Sequence, residues 1–197
     1  MTKVGDGLPA DRANWKFNGE VVDLFDDHIS RSVPLYEEGH DLICDMSDFF
    51  IKPDSLCYEV GCSTGTLTLK LAIHNQKKPE ARFIGIDIEK DMIKKASGKA
   101  TKIKGLNVSF IADDVIELEM DNADLIVCYY TIQFINTSVR QKLIDKLYSK
   151  LNWGGALLLF EKVHGADARF QDILSALYSD YKIRQGYSAD EIIAKSR

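Results

Sequence analysis

The sequence predicts an α/β fold, a doubly wound and mostly parallel sheet, from three observations. Strand-like apolar runs alternate with helix-like stretches between residues 56 and 163. Two of those runs, Leu125-Ile126-Val127-Cys128 and Ala156-Leu157-Leu158-Leu159-Phe160, are apolar without a break, as strands covered on both faces are. The first run, Leu56 to Val60, passes straight into the small-residue turn Gly61-Cys62-Ser63-Thr64-Gly65, which opens a helix.

Residues 1–14 are polar and contain Gly and Pro, so they read as a flexible tail, and residues 15–197 read as one domain. Within it, residues 15–52 supply N-terminal helices and residues 53–197 the sheet core and C-terminal helices. Val21, Val22, Phe25 and Ile29 recur at helical spacing, Pro34 breaks the pattern, and Leu42, Ile43, Met46, Phe49 and Phe50 mark a second helix that Pro53 closes. The alternation that follows predicts strand 56–60, helix 66–75, strand 81–87, helix 89–99, strand 107–112, strand 124–130, helix 138–151 and strand 156–163. Val139, Leu143, Ile144, Leu147 and Leu151 form the apolar stripe of the last of those helices, and Asn152 with Gly154-Gly155 reads as its stop. A long helix over 166–184 carries Phe170, Ile173, Leu174, Leu177 and Tyr181 on one side, and Gly186 ends it. Ser188 with Glu191 is a capping-box pattern, which starts one more short helix near Ala189.

The chemistry gathers where the strands end. Glu59-Val60-Gly61-Cys62-Ser63-Thr64-Gly65 has the spacing E-x-G-x-S-x-G, which differs from the G-x-G-x-x-G of a dinucleotide site. Gly61 and Gly65 reach backbone angles closed to other residues, and the helix after them points N–H groups back at the loop. A plain Gly-rich turn reads the same way, so the neighbouring strands must decide. The run Ala81 to Ile86 ends in Asp87, placed to accept from two ribose hydroxyls, and Val108 to Ala112 ends in Asp113-Asp114, where an adenine amino group would lie. Open α/β sheets bind ligands at this carboxyl edge. The loop resembles that of S-adenosylmethionine-dependent enzymes.

Composition narrows the rest. The chain has 197 residues, 45% hydrophobic and 28% charged, with a net charge of −5, enough for one well-buried core. Lys90, Lys94, Lys95, Lys99, Lys102 and Lys104 lack interleaved aromatics and read as a solvated helix face, so a small-molecule substrate is expected rather than direct nucleic-acid contact. Cys44, Cys57, Cys62 and Cys128 have no metal-ligand spacing, and His28, His40, His74 and His164 are scattered, so no metal is expected and a reducing cytoplasm is the expected compartment. No stretch approaches a membrane span. The sequence has no N-P-P-Y after the fourth strand and no acidic set for a metal-assisted catechol reaction.

Beyond the general class I methyltransferase pattern, with its Rossmann-like sheet, much of the chain resembles the carboxy-S-adenosyl-L-methionine synthases. The matching segments are Arg31-Ser32-Val33-Pro34 with Tyr36, Gly61-Cys62-Ser63, Thr131-Ile132-Gln133-Phe134, Gly154-Gly155-Ala156-Leu157 with Glu161-Lys162, and Gly186-Tyr187-Ser188. The resemblance implies cofactor contacts at Tyr36, Gly61, Cys62, Ser63, Asp87, Ile88, Asp114 and Val115, with Tyr129 at the end of the fourth strand where the family has Asn. It also implies S-adenosylmethionine or its carboxylated derivative as cofactor, and carboxyl transfer from prephenate to the cofactor methyl for use in tRNA wobble-uridine modification. The family's carboxylate-binding Arg, in a K-R pair, aligns with Lys195-Ser196. The antiparallel strand pair that usually closes a class I sheet has no apolar run left to supply it, which suggests either a shortened chain or an edge covered in a homodimer.

These departures make small-molecule methyl transfer the first expectation, carboxy-S-adenosyl-L-methionine synthesis the alternative, and a non-catalytic cofactor-binding partner the third. No catalytic residue is assigned, because an activated sulfonium needs mainly alignment and exclusion of water. Tyr36, Tyr129, Tyr130 and Gln133 are the candidates for lining the acceptor side.

Overall fold

The computed structural model describes residues 2–4, 8–10 and 21–195. It forms two compact units, one from residues up to Tyr36 together with those from Val163 onward, the other from Glu37 to Lys162.

The larger unit holds the sheet. Its strands are β3 (Leu56–Val60), β4 (Arg82–Asp87), β5 (Val108–Ala112), β6 (Ala123–Tyr129) and β7 (Leu151–Phe160), in the spatial order β5-β4-β3-β6-β7 and parallel throughout. Helices α2 (Tyr36–Ser47), α3 (Thr66–His74), α4 (Lys90–Ala100) and α5 (Arg140–Ser149) complete it, with a short 3-10 turn over Ile132–Phe134. The order reverses between β3 and β6, and such a reversal opens a crevice at the carboxyl ends of the two strands. Every residue of β3 is buried, and Leu56, Val60, Ile86, Ile126, Cys128, Leu143 and Leu147 share one core cluster. Helix α4 buries Met92, Ile93 and Ala96 and leaves its lysines outside or half-buried, as the charge pattern predicts.

The element boundaries follow the expected alternation with two corrections at its end. Asn152 and Gly154-Gly155 do not stop a helix: α5 already ends at Ser149, and these residues form an irregular start to β7, with the register jumping from Ala123↔Leu151 to Leu125↔Ala156. Gly154 takes φ 81°, and a Cβ on Gly155 would lie 2.9 Å from the carbonyl oxygen of Asp124. The glycines therefore serve a bulge that lets β7 run close along β6. Nor is β7 covered on both faces: it is the edge strand, with Trp153 and Leu159 exposed.

The smaller unit contains α1 (Val21–Ser32), α6 (Ala168–Arg184) and α7 (Ala189–Lys195), with β1 (Thr2–Val4) paired antiparallel to β2 (Leu8–Ala10) where a flexible tail was expected. The end of α1 is held by a buried polar group: Lys182 Nζ donates to Ser32 Oγ at 2.8 Å, and that oxygen lies 3.1 Å from the Tyr187 hydroxyl and 3.3 Å from His28 Nε2. The Ser188–Glu191 capping box forms as expected, with Ser188 N–H donating to Glu191 Oε2 at 2.8 Å. The apolar stripe of α6 is not a core face: Phe170, Ile173, Leu174 and Leu177 are all exposed.

Candidate cofactor site at the strand ends

The turn after β3 is built from positive-φ residues and borrowed carbonyls. Gly61 takes φ 74° and Gly65 φ 73°, and between them Ser63, which has a side chain, takes φ 48°. The N–H groups of Gly61 and Cys62 both donate to the carbonyl of Ile86, at 2.8 and 3.0 Å, so the turn rests on the neighbouring strand β4. Gly65 donates to the Cys62 carbonyl at 2.8 Å and then caps α3 without a side chain. The glycines also admit close neighbours. A Cβ at 61 would lie 2.4 Å from both Cγ2 and Oγ1 of Thr131, and one at 65 would lie 2.6 Å from the Phe110 ring.

Asp87, at the end of β4, closes the same turn. Its Oδ2 accepts from Ser63 N–H at 2.8 Å and its Oδ1 from Glu89 N–H at 2.9 Å. Burial raises its carboxyl from the ordinary range, while the N–H groups of Glu89, Ser63 and Ile88 pull it back down. A carboxylate has about four lone-pair sites, so accepting two backbone bonds leaves capacity for a vicinal diol. One strand further, Asp113 N–H donates to the Asp87 carbonyl at 3.0 Å, and Asp114 Oδ1 accepts from Ile116 N–H at 2.8 Å.

The structure thus brings Gly61, Cys62, Ser63 and Asp87 into one hydrogen-bonded unit and sets Asp114 at the next strand end. Ile88 is exposed beside them, whereas the Val115 side chain lies in the core and leaves only its backbone for a ligand. Tyr36 opens α2 and belongs to the smaller unit. Tyr129 is buried, its hydroxyl lying where a Cβ on Gly39 would come within 2.2 Å, and its ring packs on His40, Tyr130 and Phe160. Ser196, aligned with the family's carboxylate-binding Arg, and Arg197 lie outside the described residues.

Two features were not read from sequence, the burial of Glu59 and the anchoring of the segment after β6. Glu59 is buried, its carboxyl pushed up to about 8 by burial, with the Thr68 hydroxyl donating to Oε2. An acidic residue inside an otherwise apolar strand is the signal that marks it. The segment after β6 is the second. Tyr130 takes φ 56°, Thr131 Oγ1 donates to the Val60 carbonyl at 2.8 Å, and Ile132 N–H donates to Glu161 Oε1 at 2.6 Å.

Comparison with known proteins decides the family. Residues 58–155 match the family described as a methyltransferase domain. The chain is 38% identical over 181 residues to the carboxy-S-adenosyl-L-methionine synthase of Nautilia profundicola, covering 92% of this chain and 76% of that protein. It is 35% identical to the synthase of the same name from Staphylococcus epidermidis, over 93% of this chain and 78% of that one. The chain belongs to the carboxy-S-adenosyl-L-methionine synthase family.

Solved structures support the fold. Magnesium protoporphyrin IX methyltransferase from Synechocystis superposes with a TM-score of 0.63 at 19% identity, over 83% of this chain and 75% of that one. The YcgJ protein of Bacillus superposes at 0.61 and 17%, over 80% and 82%. As a member of the carboxy-S-adenosyl-L-methionine synthase family, the chain has the class I methyltransferase-like fold and is an S-adenosylmethionine-dependent transferase. The donor set fits that cofactor: acidic side chains at two adjacent strand ends suit a diol and an amine, and the small-residue turn lets a ligand approach the main chain. Among the described residues no helix is long and apolar enough to cross a membrane, and no group of His, Cys, Asp and Glu is arranged to hold a metal ion.

Proposed function

We propose that this chain makes carboxy-S-adenosyl-L-methionine, transferring a carboxyl group from prephenate to the methyl of S-adenosylmethionine. The observation that carries this reading is the 38% identity extending over 92% of the chain and 76% of a relative bearing that name. It puts the alternative expected from sequence ahead of simple methyl transfer.

In this reading Asp87 binds the ribose hydroxyls, Asp114 with Val115 the adenine, and Gly61, Cys62 and Ser63 the remainder through the main chain. Ile88 and Tyr129 add cofactor contacts, and Tyr36 is carried over from the family resemblance alone. When bound, the cofactor would supply an electron-poor sulfonium with a methyl that can be carboxylated; the donor would give up its carboxyl group and aromatise, its hydroxyl leaving with the methyl proton as water. The protein's share is to align the two and keep water out.

We further infer that residues 15–197 act as one cofactor-binding domain, cytoplasmic and without direct nucleic-acid contact. Four buried free thiols suit a reducing compartment. A homodimer would account for the exposed Phe170, Leu174 and Leu177 of α6.

A second reading, methyl transfer to a small-molecule acceptor, is favoured by Tyr129 in place of the family's Asn and by Ser196 where the resemblance puts an Arg. Mass spectrometry of the cofactor after incubation with prephenate separates the two. A cofactor product heavier by one carboxyl group supports the synthase, and its absence eliminates that reading.

A further inference from the structure

The segment that follows β6 is held in a conformation its own sequence does not favour. Tyr130 takes φ 56°, a left-handed angle that a residue with a side chain rarely adopts, and this turns the chain sharply after Tyr129. Such a residue persists only where its surroundings over-determine it, and such residues gather at functional sites.

Three anchors tie the start of the segment to the sheet. Tyr130 N–H donates to the Phe160 carbonyl at 2.7 Å, which extends the β6–β7 ladder by one bond. Thr131 Oγ1 donates to the Val60 carbonyl at 2.8 Å, which ties the segment to the residue immediately before the cofactor turn. Glu161, just past the end of β7, accepts from Ile132 N–H at 2.6 Å and so fixes the start of the 3-10 turn Ile132–Phe134. The first anchor is backbone and the second faces the cofactor side. Two charged side chains hold the far end: Arg140 donates to the carbonyls of Gln133 at 3.1 Å and Ile135 at 2.9 Å, and Glu161 is the one that takes the Ile132 N–H. Burial together with the Glu161 carboxylate raises the half-buried Tyr130 phenol above its ordinary range.

We propose that Glu161 is a positioning residue for the transfer reaction, holding the strained segment Tyr130–Phe134 on the acceptor side of the site through the Ile132 N–H. It acts through that segment and leaves cofactor affinity to the ends of β3, β4 and β5. The inference rests on the cofactor site proposed above, and on carboxyl transfer for its kinetic readout.

The test uses the full chain with Glu161→Ala and Glu161→Gln. The Gln variant keeps an acceptor oxygen for the Ile132 N–H. Three quantities are read: amide hydrogen exchange over residues 130–135, S-adenosylmethionine affinity by calorimetry, and kcat and KM for prephenate. The expected result for Glu161→Ala is exchange at Ile132 faster by about tenfold and kcat/KM lower by about tenfold or more, with cofactor affinity within about twofold of wild type. Glu161→Gln restores protection and most of the turnover. Unchanged exchange in Glu161→Ala overturns the inference, as does a loss of cofactor affinity that parallels the loss of turnover. If the wild-type chain makes no carboxylated cofactor, the proposed reaction fails instead, and exchange with cofactor affinity still decides the positioning role.

Discussion

The backbone N–H of Ser63 donates to Oδ2 of Asp87 at 2.8 Å, so the turn after one strand is closed by the carboxylate that ends its neighbour. Ser63 sits at φ 48°, and this bond is what the structure supplies to hold a side-chain-bearing residue there. Asp87 therefore has two tasks, shaping the turn and offering its remaining lone pairs to a ligand.

Gly61 is predicted to tolerate no side chain. Its φ is 74°, and a Cβ would fall 2.4 Å from Thr131. Gly61→Ala should lower stability by about 1–3 kcal/mol. Gly98, in α4 with nothing within 4 Å of an added Cβ, is the internal control. Gly98→Ala should raise stability by about 0.5–1 kcal/mol, and urea denaturation of the two variants checks both signs.

Gly39 and Tyr129 should be energetically coupled. A Cβ at 39 would meet the Tyr129 hydroxyl at 2.2 Å and its ring carbon Cζ at 3.0 Å. Gly39→Ala should cost about 1–3 kcal/mol, and the cost should fall by about 1 kcal/mol when Tyr129→Phe removes the hydroxyl. A double-mutant cycle in urea measures that difference; strict additivity would show that the contact carries no energy.

Glu59 sets a pH dependence of stability. Its folded carboxyl titrates at about 8, above the ordinary 4.5, so the folded state holds the proton more tightly than the unfolded chain. The stabilisation is fully present below the unfolded value and is lost as pH rises through the folded one. Each tenfold separation of the two acid constants corresponds to about 1.4 kcal/mol. Glu59→Gln keeps an acceptor for Thr68 and removes the titration, so the stability difference between variant and wild type should move in the variant's favour from about pH 5 to pH 9. A difference that stays constant across that range contradicts the assignment.

Much of this architecture was legible in the residues because buried parallel strands leave strong marks. The apolar run of β6 and the Gly-rich exit of β3 fixed the sheet and its ligand edge, and Asp87 was visible as an acid at a strand end. Local patterns failed where tertiary contact overrides them. Gly154-Gly155 resembles a helix stop, yet the requirement for close approach to the Asp124 carbonyl places it in a strand bulge. Val115 entered as a cofactor contact through the family resemblance; its side chain packs into the core, which leaves its backbone for a ligand. Glu161 stood in the sequence only as part of the Glu161-Lys162 match; its contact could not be seen, since its partner Ile132 lies 29 residues away and bonds through the backbone, which sequence does not mark.

The most direct measurement is calorimetric titration of S-adenosylmethionine into the wild-type chain and into Asp87→Ala. Loss of two charge-assisted bonds, at about 1.5–3 kcal/mol each, predicts an affinity lower by roughly 100-fold or more in the variant. Equal affinity in the two proteins would contradict the placement of the cofactor at the ends of β3 and β4.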